Sequence, residues 1–183
     1  MGTVQSTQLW EQIELNRAGL RRIKLVDAAT VAVLTSVPLP IVPLSGELVF
    51  FEFVFPDKIS AGLTLQRQRA ATGTAYWKQA IKFSLPHFSD VVAGWLSDHP
   101  ETRWVAITED YNLNVRLLAG PGNRGLVLGA EGTTGIGVTD RNAMTFSLEA
   151  DSYHYGRILP SYADDVLLPA GGFSYGFSLG FNS

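Results

Sequence analysis

Alternation of apolar and polar side chains is the dominant pattern of this chain, and it predicts β-strands. The clearest run covers residues 75–85, where Trp77 and Phe83 share one face and Lys82 lies on the other. A period of two places successive side chains on opposite faces of a strand, so this run predicts a long strand with one buried face. Residues 143–149 repeat the pattern and predict a second strand of this kind.

Shorter alternating or β-branched runs predict the remaining strands. They cover residues 20–26, 30–36, 47–55, 63–69, 103–108, 113–118 and 126–128. Two hairpins are expected, one joining 20–26 to 30–36 and one joining 103–108 to 113–118. The prolines at 38, 40 and 43 predict an extended crossing or a loop, and the four glycines of residues 129–142 predict a flexible loop.

A single helix is predicted, over residues 89–99. Residues 91–96 carry an apolar stripe at helical spacing, Ser89 stands at the N-cap position, and Asp90 suits the positive first turn. Pro100 ends the segment. About eight strands and one helix predict a mainly β fold, a β-sandwich or barrel with one short packed helix and an extended C-terminal arm.

The strand predicted at residues 47–55 is apolar on both faces, with Glu52 as its one interruption after residue 47. Such a strand is expected to be covered on both sides, partly by another element or another subunit. Phe51, Phe53 and Phe55 are therefore candidate self-assembly residues. A buried carboxylate at Glu52 is costly unless it is paired, so we expect an arginine partner in a neighbouring strand or subunit.

The end of the chain differs from the rest, because residues 166–183 carry no charged side chain. A four-residue repeat based on glycine and phenylalanine brings in Phe173, Tyr175, Phe177 and Phe181. The segment is either a loose tail or an arm that docks on its own domain or on a neighbouring subunit. Since aromatic side chains gain most when they find a partner surface, we expect a docked arm and count these four residues as assembly candidates. The chain thus divides into a β domain, 1–165, and an arm, 166–183.

Composition narrows the classes of function. Charged residues make up 17% of the chain against a usual share of about 25%, which suggests that more surface is hidden than one core accounts for. The net charge of −3 gives no chain-wide basic footprint for nucleic acid. The absence of cysteine excludes disulfides and thiolate chemistry. Neither a secretory signal nor a membrane-spanning segment is expected from the apolar runs.

No catalytic or metal-binding motif is expected to operate. The histidines, His87, His99 and His154, lack the spacing of a zinc site and are expected in surface or capping roles. Asp110 opens a segment that imitates a calcium loop but lacks its later ligands, so a hairpin turn stabilised by that side chain is expected. The glycine motif at 120–125 precedes a strand rather than the helix that a dinucleotide site requires. We therefore expect a non-enzyme without cofactor or metal.

Residues 63–148 resemble the tail-tube family of tailed bacteriophages. The likeness lies in the order of elements: a long strand ending in residues 75–85, the helix at 89–99, and the strands at 103–107 and 114–120. The resemblance implies a β-sandwich that assembles into rings, commonly hexameric, stacked around a channel. Its partners would be copies of itself and other virion proteins, with DNA only as transiting cargo and no membrane. The protein would assemble in the host cytoplasm and reside in the virion.

Other functions remain open at this stage. Within the same class, the alternatives are a tail terminator, a head–tail connector or a capsid-associated protein. A different class is a carbohydrate- or ligand-binding β-sandwich with exposed Trp and Tyr as its platform. A third is a hydrolase with carboxylates on loops, for which a glycosidase pair including Glu52 is the most suggestive arrangement.

Overall fold

The computed structural model describes residues 17–33, 41–44, 49–56, 59–86, 89–133 and 143–162. Within these ranges the fold is mainly β, with one α-helix and an antiparallel main sheet that does not close into a barrel. The predicted fold class is confirmed. The C-terminal arm predicted at 166–183 lies outside the described residues.

Eleven strands, one α-helix and one turn of 3-10 helix at Pro121–Asn123 make up the described chain. The strands are β1 (Leu20–Asp27), β2 (Val31–Val33), β3 (Ile41–Pro43), β4 (Phe51–Val54), β5 (Ala61–Arg69), β6 (Ala75–Leu85), β7 (Arg103–Asp110), β8 (Val115–Leu118), β9 (Leu126–Thr133), β10 (Ala143–Ser152) and β11 (Arg157–Leu159). The helix α1 is Asp90–Asp98, close to its predicted bounds. Ser89 stands at its N-cap, but the Ser89 hydroxyl makes no capping hydrogen bond, so only the position was predicted correctly.

Nine strands form one antiparallel sheet, and β7 is its branch point. Along one edge β7 pairs with β1 over nearly its whole length, and β1 in turn pairs with β4. Along the other edge β7 pairs with β8 in its second half and with β9 in its first two residues. From β9 the sheet continues through β10 and β6 to β5, while β8 continues to β11. Strands β2 and β3 form a separate pair.

The sheet folds over so that β4 packs face to face with β6 and β10. The ring of Phe53 lies 5.1 Å from that of Phe83 and 6.0 Å from that of Phe146, and Phe55 lies 5.0 Å from Phe83. These contacts bury the face that the alternation in β6 and β10 predicted to be buried. The result is a sandwich whose two layers are continuous through the β7–β9 pairing.

Helix α1 closes one end of this sandwich with aromatic side chains. Trp95 contacts Phe51, Phe53 and Trp104, with ring centroids 5.1–5.8 Å apart. His99, just after the helix, joins the same cluster, and its Nδ1 lies 2.8 Å from the carbonyl oxygen of Trp95. His99 therefore has a packing role at the helix end, in line with the capping role expected for it.

A second hydrophobic cluster lies on the opposite face of β1, β7 and β8, which we call the outer face. Val26, Val105, Ile107 and Leu117 form its base, and β2 and Tyr162 cover it. Strand β7 is consequently buried on both faces over six successive residues. A strand that contributes to two cores is expected to tolerate little change on either side.

The predicted hairpin between 20–26 and 30–36 is wrong. Both edges of β1 are occupied, by β4 and β7, so β2 pairs with β3 instead. The turn between β1 and β2 is present, with the Thr30 amide donating to the Asp27 carbonyl at 3.0 Å, but it directs the chain onto the outer face. The prolines at 38 and 40 lie outside the described residues, while Pro43 ends β3.

The predicted coverage of both faces of 47–55 is not found among the described residues, which include 49–55 of this segment. Phe51, Phe53 and Phe55 point into the sandwich, whereas Glu52 and Val54 are exposed on the outer face. The premise of a buried Glu52 was therefore wrong. Glu52 instead lies directly across from Lys24 of β1 in the strand register.

Other strands follow the predictions more closely. Strands β5 and β6 and the β7–β8 hairpin lie where the alternation placed them, with β5 beginning two residues early. Strand β9 extends to Thr133, into the segment predicted as a loop, and β11 was not predicted. Residues 129–133 pair only with β10, which leaves a two-stranded ribbon beyond the sandwich.

Val54, the last residue of β4, and Phe55, the residue after it, give a direct test of the two faces of this segment. Phe55 is 1% exposed and Val54 is 63% exposed. We expect Phe55→Ala to lower the free energy of unfolding by about 3–5 kcal/mol, because it leaves a cavity between the layers. The matched variant Val54→Ala should change it by less than about 0.5 kcal/mol. Urea denaturation checks both values, and similar losses for the two variants would contradict the assigned faces.

Candidate assembly surface

The branched main sheet ends in three strands, β4, β5 and β11, each paired along one edge only within the described residues, and β4 and β5 are the longer two. Strand β4 pairs only with β1, and β5 pairs only with β6, so the outer edge of each presents backbone N–H and C=O groups without a partner strand. An unpaired edge is a template for pairing with another chain unless it is blunted. We define these two edges, with the exposed side chains of Glu52 and Val54, as the candidate assembly surface.

The two edges differ in charge. Strand β4 exposes the carboxylate of Glu52 beside the apolar side chain of Val54. Strand β5 exposes Arg67 and Arg69 near its end, and neither makes an ion pair among the described residues. Edges of opposite charge attract each other, whereas two copies of the same edge repel, so the surface favours contact between unlike edges.

Behind the β4 edge, the outer face holds a partly buried ion pair in which Glu109 is buried and Arg22 is half-buried. Glu109 of β7 is only 4% exposed, and it accepts hydrogen bonds from Arg22 Nε at 3.0 Å and Arg22 Nη2 at 2.9 Å. Arg21 Nη1 adds a longer bond of 3.3 Å to the same carboxylate. The bidentate hydrogen bond to Glu109 raises the pKa of Arg22. The hydrogen bonds from Arg22 to Glu109 and from Lys24 to Tyr162 lie within the chain, and Lys24 is buried.

These two cations also hold Tyr162, the last residue that the structure describes. The Arg22 guanidinium lies 4.1 Å and the Lys24 ammonium 4.4 Å from the centre of the Tyr162 ring. Lys24 Nζ donates a hydrogen bond to the Tyr162 carbonyl at 3.2 Å. Cations over an aromatic ring are attracted by its quadrupole, more strongly when they are desolvated. We call Arg22 and Lys24, with their contacts to Tyr162, the Tyr162 clamp. The clamp fixes the position of Tyr162 on the outer face.

The clamp lies beside the β4 edge. Arg22 is directly across from Val54 and Lys24 from Glu52 in the β1–β4 register. The side chain of Tyr162 is 2% exposed, and burial, with the nearby carboxylate of Glu52 second, raises its pKa. Tyr162, four residues before the segment 166–183, is therefore held beside the candidate assembly surface.

The predicted assembly residues divide into two groups. Phe51, Phe53 and Phe55 contact the core of their own chain, because the period of two turns all three inward. An interface role for them stays a prediction. Phe173, Tyr175, Phe177 and Phe181 lie outside the described residues. Sequence reasoning missed Tyr162 and Glu109, although the alternating Arg22 and Lys24 signalled that one face of β1 carries charge.

The motifs weighed for chemistry have structural roles. Asp110 Oδ1 accepts from the backbone N–H groups of Asn112 and Asn114, at 2.9 Å and 2.8 Å, which confirms the predicted turn. The glycine motif that begins at Gly120 is followed by β9 rather than by a helix. Among the described residues no group of three or more acidic, histidine or cysteine side chains is placed to hold a metal ion.

Comparison of the chain with family models, with curated proteins and with solved structures gives no match in any of the three. No helix in the described ranges has the length and apolar character needed to cross a membrane.

The Tyr162 clamp predicts an unusual alkaline titration. Folding raises the pKa of Tyr162 above the ordinary phenol value of about 10. The protonated phenol therefore contributes fully to the free energy of unfolding below about pH 10, and this contribution falls as the pH rises above that value. Tyr162 should therefore ionise only when the chain unfolds. Phenolate absorbance followed with pH should be the same for the folded wild type and the folded Tyr162→Phe variant. A smaller phenolate signal in the folded variant would show that Tyr162 ionises in the native state.

Proposed function

We propose that this chain is a non-enzymatic structural protein of a phage virion that self-assembles into rings or a tube, with a tail-tube protein as the first candidate. The observation that carries the proposal is the pair of unpaired edges, β4 and β5, with Val54 63% exposed on one of them. A soluble monomer usually blunts such edges with charges, proline or a covering element. Strand β4 has none of these on its outer edge within the described residues, apart from Glu52.

Assembly through unlike edges would generate a closed ring. A head-to-tail contact uses two different patches on each subunit and forms a ring when the rotation between subunits closes. Glu52 on one edge and Arg67 and Arg69 on the other supply the complementary charges. Each contact would extend the β-sheet of one subunit into the next, through the backbone groups that have no partner strand within the described residues.

The C-terminal segment supports the same function. It is uncharged and rich in aromatic side chains, and Tyr162, four residues before it, is held beside the β4 edge. A segment that starts at the edge of a subunit is well placed to cover the neighbour that pairs with that edge. Exchange of such arms is a common way of locking rings and stacks.

A ligand-binding sandwich is the second candidate, and one observation favours it. Tyr153 and Tyr155 are 70% and 41% exposed, and Tyr155 borders a polar cavity of about 380 Å³ lined also by Arg17, Arg116 and Asn114. Exposed tyrosines beside polar groups suit a carbohydrate ligand. Such a module is expected to work as a monomer, so size in solution separates the two candidates.

The experiment that tests the proposal is negative-stain microscopy of the purified chain together with its size in solution. Rings or tubes are expected. Val54→Lys should lower the assembled fraction by about tenfold or more, because assembly would bury an unpaired charge at the β4 edge. The matched control is Val91→Lys on helix α1, where the side chain is 81% exposed and belongs to neither edge strand. A wild-type chain that remains monomeric at high concentration would rule the proposal out.

Deletion of residues 167–183 tests the arm. If it clamps a neighbouring subunit, the truncated chain should fold, with an unchanged circular dichroism spectrum, and fail to assemble. Normal assembly of the truncated chain would show that the arm has no such role. Loss of folding would show instead that the arm pads its own sandwich.

A further inference from the structure

An open cleft of about 300 Å³ lies where β5 turns into β6. It is lined by Thr72 and Thr74 of that turn, by Pro121 of the 3-10 turn, and by residues at and just after the end of β10. Small-molecule sites begin at about 300 Å³. Tyr155 does not line this cleft, which is therefore separate from the cavity of about 380 Å³ beside Tyr155.

Two tyrosine side chains line the cleft, Tyr76 of β6 and Tyr153 just after β10. The Tyr76 hydroxyl donates to Gln68 Oε1 at 2.6 Å, which fixes the position of Tyr76 beside β5. Tyr153 is 70% exposed and has no hydrogen bond or ring contact among the described residues. A ligand in the cleft therefore has direct access to the aromatic ring of Tyr153.

A carboxylate stands beside these rings. Asp151 is directly across from Lys78 in the β6–β10 register, and the alternation of both strands puts Asp151, Lys78 and Tyr76 on one face of the sheet. Diagonal neighbours on such a face are about 7–8 Å apart, which leaves room for a ligand group between Asp151 and Tyr76. Asp151 is exposed and makes no ion pair among the described residues, since the Lys78 ammonium is 3.6 Å from the Glu149 carboxylate.

The polar groups of the cleft accept more hydrogen bonds than they donate. An ionised carboxylate only accepts, whereas a hydroxyl group both donates and accepts. The Thr72 hydroxyl donates to the Thr74 hydroxyl at 3.4 Å, so the donor of Thr72 is occupied while its acceptor sites remain available. A ligand matched to this set carries several O–H donors and one apolar face for an aromatic ring.

The surrounding charges narrow the ligand further. The carboxylate of Asp151 disfavours an anion in the cleft. Lys78, across from Asp151, and the exposed Arg69 at the end of β5 disfavour a cation. A neutral sugar ring meets both conditions, because its C–H bonds form an apolar face and its hydroxyl groups surround that face.

We propose that this cleft binds a neutral sugar ring, with its C–H face on Tyr153 and its hydroxyl groups bonded to Asp151 and to Thr72 or Thr74. All four of these side chains belong to exposed residues, so the ligand reaches them from solvent. The site goes beyond the proposed function and does not depend on it, since a monomer and a ring would both carry the cleft.

Saturation-transfer NMR on the full chain tests the site, because it observes the ligand and suits a protein of any assembly size. The probes are the methyl α-pyranosides of glucose, galactose and mannose, and the matched control is sorbitol, which has hydroxyl groups but no rigid C–H face. At least one glycoside should bind with millimolar affinity, as a ligand of this size permits, while sorbitol gives no signal. Absence of a signal from all of these glycosides would overturn the proposal.

Variants of the two exposed tyrosines locate the bound sugar. Tyr153→Ala should weaken glycoside binding by about fivefold or more, whereas Tyr153→Phe, which keeps the ring, should change it by less than about twofold. Tyr155→Ala, at the other cavity, should leave binding unchanged. Binding that survives Tyr153→Ala and is lost in Tyr155→Ala would overturn the proposal and place the sugar beside Tyr155.

The carboxylate separates a sugar from a cation. Asp151→Asn should weaken glycoside binding by about fivefold, as expected for one hydrogen bond to a charged group, and the matched variant Glu131→Gln on β9 should not. Tetramethylammonium should not compete with the glycoside. If it binds and the glycosides do not, the cleft is a cation site and the proposal is wrong. Rings or tubes that bind no glycoside would leave the proposed assembly standing, and a monomer that binds one would leave only the sugar site.

Discussion

The rest of the structure depends on β7 being buried on both faces and paired on both edges. Its inner residues, Trp104 and Ala106, belong to the core between the layers, and its outer residues, Val105 and Ile107, belong to the second cluster. Its pairings with β1, β8 and β9 join the two layers into one sheet. Because β7 contributes side chains to both hydrophobic clusters, a shift of this strand changes the packing of both.

The same strand explains why charged side chains are buried on β1. Glu109 ends the outer row of β7, and its carboxylate would be costly there without the bidentate bond to Arg22. Arg22 and Lys24 then place their charges over Tyr162, which covers the outer face. On the outer face, the charged groups of Arg22 and Lys24 attach Tyr162 to β1 and hold it beside the β4 edge. On the inner face, apolar packing joins β1 to the other strands.

Sequence reasoning located elements well where the signal is local. Strand β6, the helix and the β7–β8 hairpin follow from periodicity, proline positions and the Asp110 turn, all within a few residues of one another. It failed where the choice of partner is non-local. Nothing near β1 in the sequence shows that its edges belong to β4 and β7, so the nearest strand, β2, was assigned to it.

At the candidate assembly surface too, local features could be predicted from the sequence and contacts between distant residues could not. The alternation in β4 marks Phe51, Phe53 and Phe55 as one face, but only the fold shows that this face is internal and that Val54 is exposed. The clamp on Tyr162 joins residues 138 positions apart, and no spacing rule relates Lys24 to that carbonyl. Strand β11, with three residues, is too short for periodicity to reveal.

The long separation between β1 and β7 also has a consequence for biosynthesis. Arg21 and its partner Glu109 are 88 positions apart, so β1 leaves the ribosome long before β7 exists. At ordinary translation rates the delay is roughly 4–18 s, during which Ile23 and Leu25 lack the core residues that β7 supplies, Trp104 and Ala106. Folds dominated by such distant pairings also fold slowly once complete. The nascent chain therefore passes through a period in which β1 has no β7 beside it, and a chaperone would have its greatest effect on yield during that period.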